Sequence, residues 1–485
     1  MNPLLFSDPA FLFLFAPAVL AGYYIAPARL RNTLLLCASL LLYAWGEQVY
    51  VSVLLIAILI NYAGGLMIGR AKEPLSRRML LITGVMLNLL LLAAFKYVPF
   101  FVQNYNAILV ILHLRPVAVP ATHLPAGISF YMFMGISYLM DAYRGQMAAE
   151  QNFLQFALYL SLFPHLIAGP IVRYCDIAAQ LHSRHAGLHD LASGIRRFII
   201  GLGKKVLIGN TVALAVDAIM RIPQAQLTGP VAVVGVGYYS LQIYYDFSGY
   251  SDMAIGLARM FGFTFPENFN YPYVSRSITE FWKRWHITLS TWLRDYLFFP
   301  LGVRGGRSRL YRNVLIVFAV CGLWHGASWH FVAWGMFQGV VLVLERIWLL
   351  KFLDRLPRPV SHAYALVVIL MGWALFRAED LPHAFAYIGA MYGAWSVSGV
   401  QTAFNTYFTP QVAIAVVVGI LGCMPVVPAV KTLLARAVDT LQPPVSVFVE
   451  SVAALIRLGA HAAVLLGSLM VIAAGTYHPF IYFRF

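Results

Sequence analysis

The chain has 485 residues, of which 61% are hydrophobic and only 11% charged. That balance excludes an ordinary soluble domain and predicts an all-α, polytopic membrane protein. The formal net charge of +15 does not indicate nucleic acid, because Lys and Arg gather in short loops between apolar runs, as they do on the cytoplasmic side of membrane proteins.

The first apolar runs cover residues 9–27, 31–46, 49–69 and 79–95, each near the roughly 20 residues that a bilayer span needs. The opening MNPLLFSDPAF has no basic start and no small-residue cleavage site after it, so the first run is predicted to stay as a helix. Arg29 and Arg31 follow the first span, and Arg70, Lys72, Arg77 and Arg78 follow the third; only Glu47 lies between the second and third. This pattern predicts an outside N-terminus and a basic cytoplasmic face. These early spans carry few functional groups and read as scaffold, followed by a Pro- and His-bearing loop over 115–125.

The middle of the chain differs. GISFYMFMGISYLMDAY (127–143) is rich in aromatics and hydroxyls, and LFPHLIAGPIVR (162–173) sets Pro, His and Gly in apolar surroundings. Non-helical backbone at membrane depth is tolerated only where protein or a cavity shields it, so the second run is predicted to be re-entrant or broken. YYSLQIYYDFSGYSD (238–252) carries Asp246 and Asp252 among hydroxyls; such acids are functional if buried in the membrane, and merely solvated or paired with Arg at the interface. The segment 274–301 is amphipathic. In SITEFWKRWHITLSTWLRDY (277–296), Ser277 and Glu280 have capping-box spacing, which predicts a helix start. Trp282, Trp285, Leu289, Trp292 and Tyr296 recur at three- and four-residue steps as one apolar face. Glu280 and Arg284, and Thr291 and Asp295, are spaced to meet on a helix. Two readings stand: a Trp-rich interfacial helix, or a site where Lys283 and Arg284 attract a phosphate while His286 faces inward.

From Asn313 to Leu344 there is no formal charge, and His325 lies inside this stretch in CGLWHGASW. Gly322 and Gly326 form a GxxxG pair that suits close helix packing. His325 is therefore either a packing histidine or a proton-transfer group, since an imidazole accepts and returns a proton near neutrality. A metal reading is weak: on one helix His325 and His330 would diverge by about 140°, and no HExxH is present. GLGKK (201–205) lacks the rest of a phosphate-binding loop, and no GxSxG elbow occurs. Cys37, Cys175, Cys321 and Cys423 form no CxxC pair and are expected to be buried structural thiols. Further spans are predicted near 361–378, 383–398, 409–428 and 452–476, for about eleven to thirteen membrane segments in all. No repeat, low-complexity region or soluble domain is evident.

LPAGISFY, LFPHLIAGPIVR, YYDFSGYSDMAIGLARMFGF, ENFNYPYVSRSITEFWKRWHITLSTWLRDYLFFPLG, GLWHGASW and a C-terminal FIYFRF together resemble the membrane-bound O-acyltransferases. Within them they are similar to the bacterial polysaccharide O-acetyltransferases, which include the membrane subunit of alginate acetylation. Met134 departs from that pattern, where relatives carry a polar residue. The resemblance implies one domain over 1–485, with scaffold helices (1–126), a catalytic core (127–345) and C-terminal helices (346–485) around a transmembrane tunnel. It implies His325 as the essential histidine and His286 as the second. Substrate-binding candidates are Trp285, Arg284, Lys283, Asn268, Ser290, Asp295, Trp324, Asp246 and Tyr250. The implied donor is acetyl-CoA, used as substrate with no bound cofactor or metal. The implied setting is the inner-membrane lipid, with a separate periplasmic acetyltransferase or carrier as partner and no nucleic acid. Peptidoglycan acetylation is the alternative within the family. A transporter using the same His and acids as a proton relay is the rival outside it, disfavoured by the lack of repeated halves; a structural scaffold would not need a buried histidine.

Overall fold

The computed structural model describes residues 5–302, 306–393, 405–439, 442 and 444–475. The C-terminal FIYFRF, the last third of the expected span 383–398 and the end of 452–476 lie outside the described residues. Among the described residues there are helices and loops but no strands.

The N-terminal part holds α1 (Ala16–Ile25), α2 (Ala28–Glu47), α3 (Val51–Arg70), α4 (Pro74–Lys96) and α5 (Val98–Ile111). Gln48 has φ 44°, so α2 and α3 are two helices rather than one. Prolines open α4 and α5, where a missing N–H costs nothing. Asn61 of α3 and Asn88 of α4 exchange amide hydrogen bonds at 2.9 and 3.0 Å, a polar contact that holds helices together where lipid supplies no hydrophobic drive.

Next come α6 (Ile128–Arg144), α7 (Phe153–Ser161), α8 (Phe163–Leu166), α9 (Tyr174–His182), α10 (Leu188–Gly203), α11 (Thr211–Met220) and the 32-residue α12 (Gly229–Met260). Residues 167–173 are non-helical and almost wholly buried, as LFPHLIAGPIVR predicts. Their polar backbone is met by side chains: Ile171 N donates to Thr288 Oγ1 at 2.9 Å, and Tyr159 Oη donates to Val172 O at 3.2 Å.

The chain continues through α13 (Ile278–Arg284), α14 (Ile287–Leu293), α15 (Gly306–His325), α16 (Trp329–Leu344), α17 (Leu350–Leu353), α18 (Arg358–Arg377) and α19 (Leu381–Met391), then helices Pro410–Gly422, Val426–Asp439 and Val445–Ala473. Among the described residues five stretches are long and apolar enough to cross a membrane: Ala28–Arg70, Pro74–Lys96, Leu188–Met220, Arg358–Arg377 and Val445–Ala473. Pro410–Gly422 with Val426–Asp439, bent by 59°, makes a sixth. The remaining expected segments are shorter helices or helices with polar inner faces, which length and hydropathy alone do not single out.

Three expectations are corrected. The amphipathic stretch 274–301 is not one helix, because it breaks between α13 and α14; its tryptophans 282, 285 and 292 are buried in protein rather than spread on an interface. The charge-free stretch around His325 is a hairpin of two helices, α15 and α16, so His325 sits at a helix end. Cys37 and Cys175 are exposed, while Cys321 and Cys423 are buried.

Candidate active site

α15 and α16 pack antiparallel at very short range. A Cβ on Gly322 would lie 2.2 Å from the Phe331 carbonyl oxygen, and one on Gly335 would lie 2.1 Å from that of Phe318. Only glycine permits this approach. The hairpin turns at residues 326–328, directly after His325. The last carbonyls of a helix have no intrahelical partner, and here α4 supplies one set. The Lys96 ammonium donates to Trp324 O, and to His325 O at 3.3 Å; the adjacent Tyr97 hydroxyl donates to Leu323 O at 3.1 Å. Lys96 also lies 5.8 Å from the Trp324 ring centroid.

His286 occupies the break between α13 and α14 with φ 42° and ψ 55°. The loop before α13 stitches this break: Asn270 N donates to Arg284 O, and Ile287 N to Asn268 O, both at 2.9 Å. The buried Asn268 side chain then fixes the ring. Its Oδ1 accepts from Thr288 N at 3.3 Å and Thr288 Oγ1 at 2.9 Å, and lies 3.1 Å from His286 Nδ1; its Nδ2 donates to Ser251 Oγ at 3.1 Å. A backbone N–H can only donate, so Oδ1 is the acceptor and Nδ1 of the neutral imidazole carries the hydrogen. Nε2 therefore presents a lone pair, and among the described residues it has no hydrogen-bond partner.

Trp324 links the two histidines. Its ring centroid is 4.8 Å from His325 and 6.4 Å from His286. Trp334 and Phe376 stand 5.1 Å from His325 on other sides, and Phe133 stacks on Trp324 at 5.1 Å. The indole N–H groups of Trp324 and Trp334 are buried with no hydrogen-bond partner among the described residues. Buried donors and acceptors are almost always paired. Two buried histidines, an imidazole lone pair and two indole N–H groups without partners among the described residues together offer acceptor and donor positions to a polar reactant.

The other sequence candidates divide. Lys283 and Ser290 line a cavity of about 440 Å³ together with Arg294, Arg346 and the buried Cys321, one helical turn before His325. Among its described lining residues there is no carboxylate. Trp285 packs 4.9 Å from Trp373 and 5.5 Å from Phe281. Arg284 is directed to Glu280 at 3.0 Å and to Asn270 O at 3.1 Å. Ser277 Oγ caps α13 by accepting from Glu280 N at 3.0 Å. Asp295 pairs with Arg173 at 3.2 Å and Arg294 at 2.7 Å. Asp246 pairs with Lys205, and Asp252 with Arg197 at 2.6 Å and Lys204 at 2.7 Å; these ion pairs tie α12 to the segment around α10. Tyr250 stacks on Phe6 at 4.7 Å. Sequence reasoning missed Lys96 and Tyr97. The available signal was a cation closing an uncharged run that starts after Arg78.

Residues 97–358, which contain both histidines and the cavity, match the model of the membrane-bound O-acyltransferase family. The chain belongs to that family and is a multi-pass membrane acyltransferase whose acyl donor is a substrate. It is 40% identical to the probable alginate O-acetylase AlgI of Azotobacter vinelandii over 99% of this chain and 100% of the relative. It is equally 40% identical to the protein of that name from Pseudomonas putida, again over 99% and 100%. It is 35% identical to the peptidoglycan O-acetyltransferase of Helicobacter pylori over 81% of each chain.

Proposed function

We propose that this protein moves acetyl from cytoplasmic acetyl-CoA across the bacterial inner membrane for O-acetylation of an exopolysaccharide, alginate or a related polymer such as cellulose. A periplasmic acetyltransferase or carrier completes the delivery. The observation that carries this reading is the clustering of buried His286, Trp324 and His325, with an Nε2 and an indole N–H that have no partner among the described residues, one helical turn along α15 from Cys321 on the wall of the cation-lined cavity. The full-length similarity to the two probable alginate O-acetylases favours a secreted polysaccharide over peptidoglycan as the destination.

In this reading the CoA phosphates rest near Lys283, Arg294 and Arg346, and the thioester arm follows the cavity along α15 past Cys321. His325 takes the proton of the acceptor hydroxyl as its oxygen attacks the thioester carbonyl. The Trp324 N–H donates to the developing oxyanion, where a buried donor is worth most. Collapse breaks the C–S bond, and the leaving thiolate takes the proton back from the imidazolium. His286, fixed by Asn268, offers its Nε2 lone pair to an O–H or N–H of the reactants. The test is purified protein in lipid nanodiscs, given labelled acetyl-CoA and an acceptor polymer or periplasmic partner. Thiol release and acetylated product are expected, and both should vanish in His325→Ala. An unmodified thioester in the wild type under every acceptor would overturn the reading.

A further inference from the structure

Away from the histidines, a second cavity of about 780 Å³ lies between α12, α18 and the helix Pro410–Gly422. Its walls are apolar: Leu241, Leu366, Ile369, Leu370, Val416 and Ile420. Its mouth is basic. Arg276, in the loop before α13, and Arg358 and His362, in the first turns of α18, line one end. Arg276 and Arg358 are exposed, and among the described residues neither has a carboxylate in ion-pair range. His362 Nε2 lies 2.8 Å from Tyr273 O.

The dimensions decide what fits. From Arg358 to Leu370 the α18 wall is about 18 Å long at about 1.5 Å rise per residue. One leaflet of the hydrocarbon core is about 15 Å deep. The groove is thus one leaflet deep, apolar along its length and doubly cationic at its mouth. We infer that it binds an anionic phospholipid, with the phosphate between Arg276 and Arg358 and one acyl chain along α18. A zwitterionic lipid fills the same groove but brings its own cation to the two arginines. The seat has a mechanical consequence. Tyr273, on the cavity wall, accepts from Trp373 Nε1 at 3.2 Å, and Phe376, one turn further along α18, stands 5.1 Å from His325. A lipid held here braces the helix that packs against His325.

The test is native mass spectrometry of the detergent-purified full chain, titrated with phosphatidylglycerol and, separately, phosphatidylcholine. Binding is the readout, so the result is independent of whether acetyl transfer is the reaction. One phosphatidylglycerol should be retained about 30-fold more tightly than phosphatidylcholine, on roughly fivefold per arginine for a cation at the membrane surface. Arg276→Gln with Arg358→Gln should bring the two lipids within about twofold, and added salt should do the same in the wild type by screening. Leu370→Trp keeps both charges but fills the groove, and should lower binding of both lipids. Equal retention of the two lipids by the wild type, or a preference that survives the arginine substitutions, means annular lipid only and overturns the inference. If the double variant does not fold, Leu370→Trp decides: full phosphatidylglycerol retention in that variant refutes the site.

Discussion

Lys96→Met removes the cation that holds the end of α15. In the wild type the ammonium donates to Trp324 O and to His325 O at 3.3 Å. A charged hydrogen bond contributes about 1.5–3 kcal/mol, and a cation at a helix C-terminus about 0.3–1 kcal/mol. The loss is therefore about 2–4 kcal/mol at the backbone of Trp324 and His325. If that energy appears in the barrier, at about 1.36 kcal/mol per decade, the rate of transfer falls roughly 30- to 1000-fold. Lys96 is not among the residues lining the cation-rimmed cavity, so the apparent Michaelis constant for acetyl-CoA should change by less than about threefold, the signature of an interaction that matters in the transition state alone. Lys96→Arg keeps a donor cation and should recover a tenth or more of the lost rate. Tyr97→Phe removes one neutral hydrogen bond, worth about 1 kcal/mol, and should cost about fivefold. The assay is single-turnover acetyl transfer in nanodiscs with matched folded fractions. A wild-type rate in folded Lys96→Met would refute the positioning role, and so would a loss confined to acetyl-CoA affinity.

Four further outcomes are expected. His325→Ala should abolish polymer acetylation while the protein still folds and polymer is still secreted; near-normal acetylation, measured by ester content, would remove His325 from the chemistry. Lys283→Glu with Arg346→Glu should raise the Michaelis constant for acetyl-CoA at least tenfold at low salt, and less at high salt, whereas Arg284→Glu should act mainly through its lost pairing with Glu280; equal effects from the two would place the donor mouth elsewhere. Gly322→Val forces a Cβ 2.2 Å from the Phe331 carbonyl oxygen, so the α15–α16 hairpin should open and the melting temperature should drop by several degrees; an unchanged melting curve would contradict the packing. Lys72→Cys, after replacement of the exposed Cys37 and Cys175, should resist an impermeant thiol reagent in spheroplasts, and labelling there would reverse the inferred orientation.

Much of this molecule is legible in its amino-acid order. The early spans, the capped start of α13 and the broken run 162–173 follow from local rules of hydropathy, capping and backbone satisfaction. The misreadings share a cause. Trp282, Trp285, Leu289, Trp292 and Tyr296 keep helical spacing across a point where the helix stops, because every one of them is buried on both sides of the break. Periodicity reports which residues face inward, not whether the backbone is continuous. Asp246 and Asp252 stood out as acids in an apolar run, but their partners Lys205, Lys204 and Arg197 lie about forty to fifty-five residues away. Long-range pairing of that kind leaves no local pattern. Lys96 leaves no local pattern for a different reason: a lone cation closing an apolar span reads as a side chain that snorkels to the interface, and its inward course toward α15 shows only in the fold.

Both candidate histidines sit where a helix ends, and that placement has a physical basis. Inside a helix the backbone is saturated, and a side chain meets only what packs against that face. At a break, backbone carbonyls and N–H groups open into the protein interior, where leaving them bare costs several kcal/mol each. The chain must therefore bring polar partners to these points: Lys96 and Tyr97 to the end of α15, and Asn268, Asn270 and Thr288 to the break at His286. Asn268 also fixes the ring of His286, and Lys96 holds the backbone that carries the ring of His325. An apolar membrane interior thus acquires a fixed polar cluster as a by-product of satisfying two helix ends. This arrangement suits acyl transfer from a charged thioester, because such a site must hold a proton acceptor and an oxyanion donor at membrane depth while the charged part of the donor stays at the rim. Asn268→Leu tests the point directly. It deletes the acceptor that meets both Thr288 and the ring of His286, so it should impair transfer about as strongly as His286→Ala, and the double variant should be no worse than either single one. Additive losses would mean that the break and the ring act separately, and that the polar cluster is not built by the way its helix ends are satisfied.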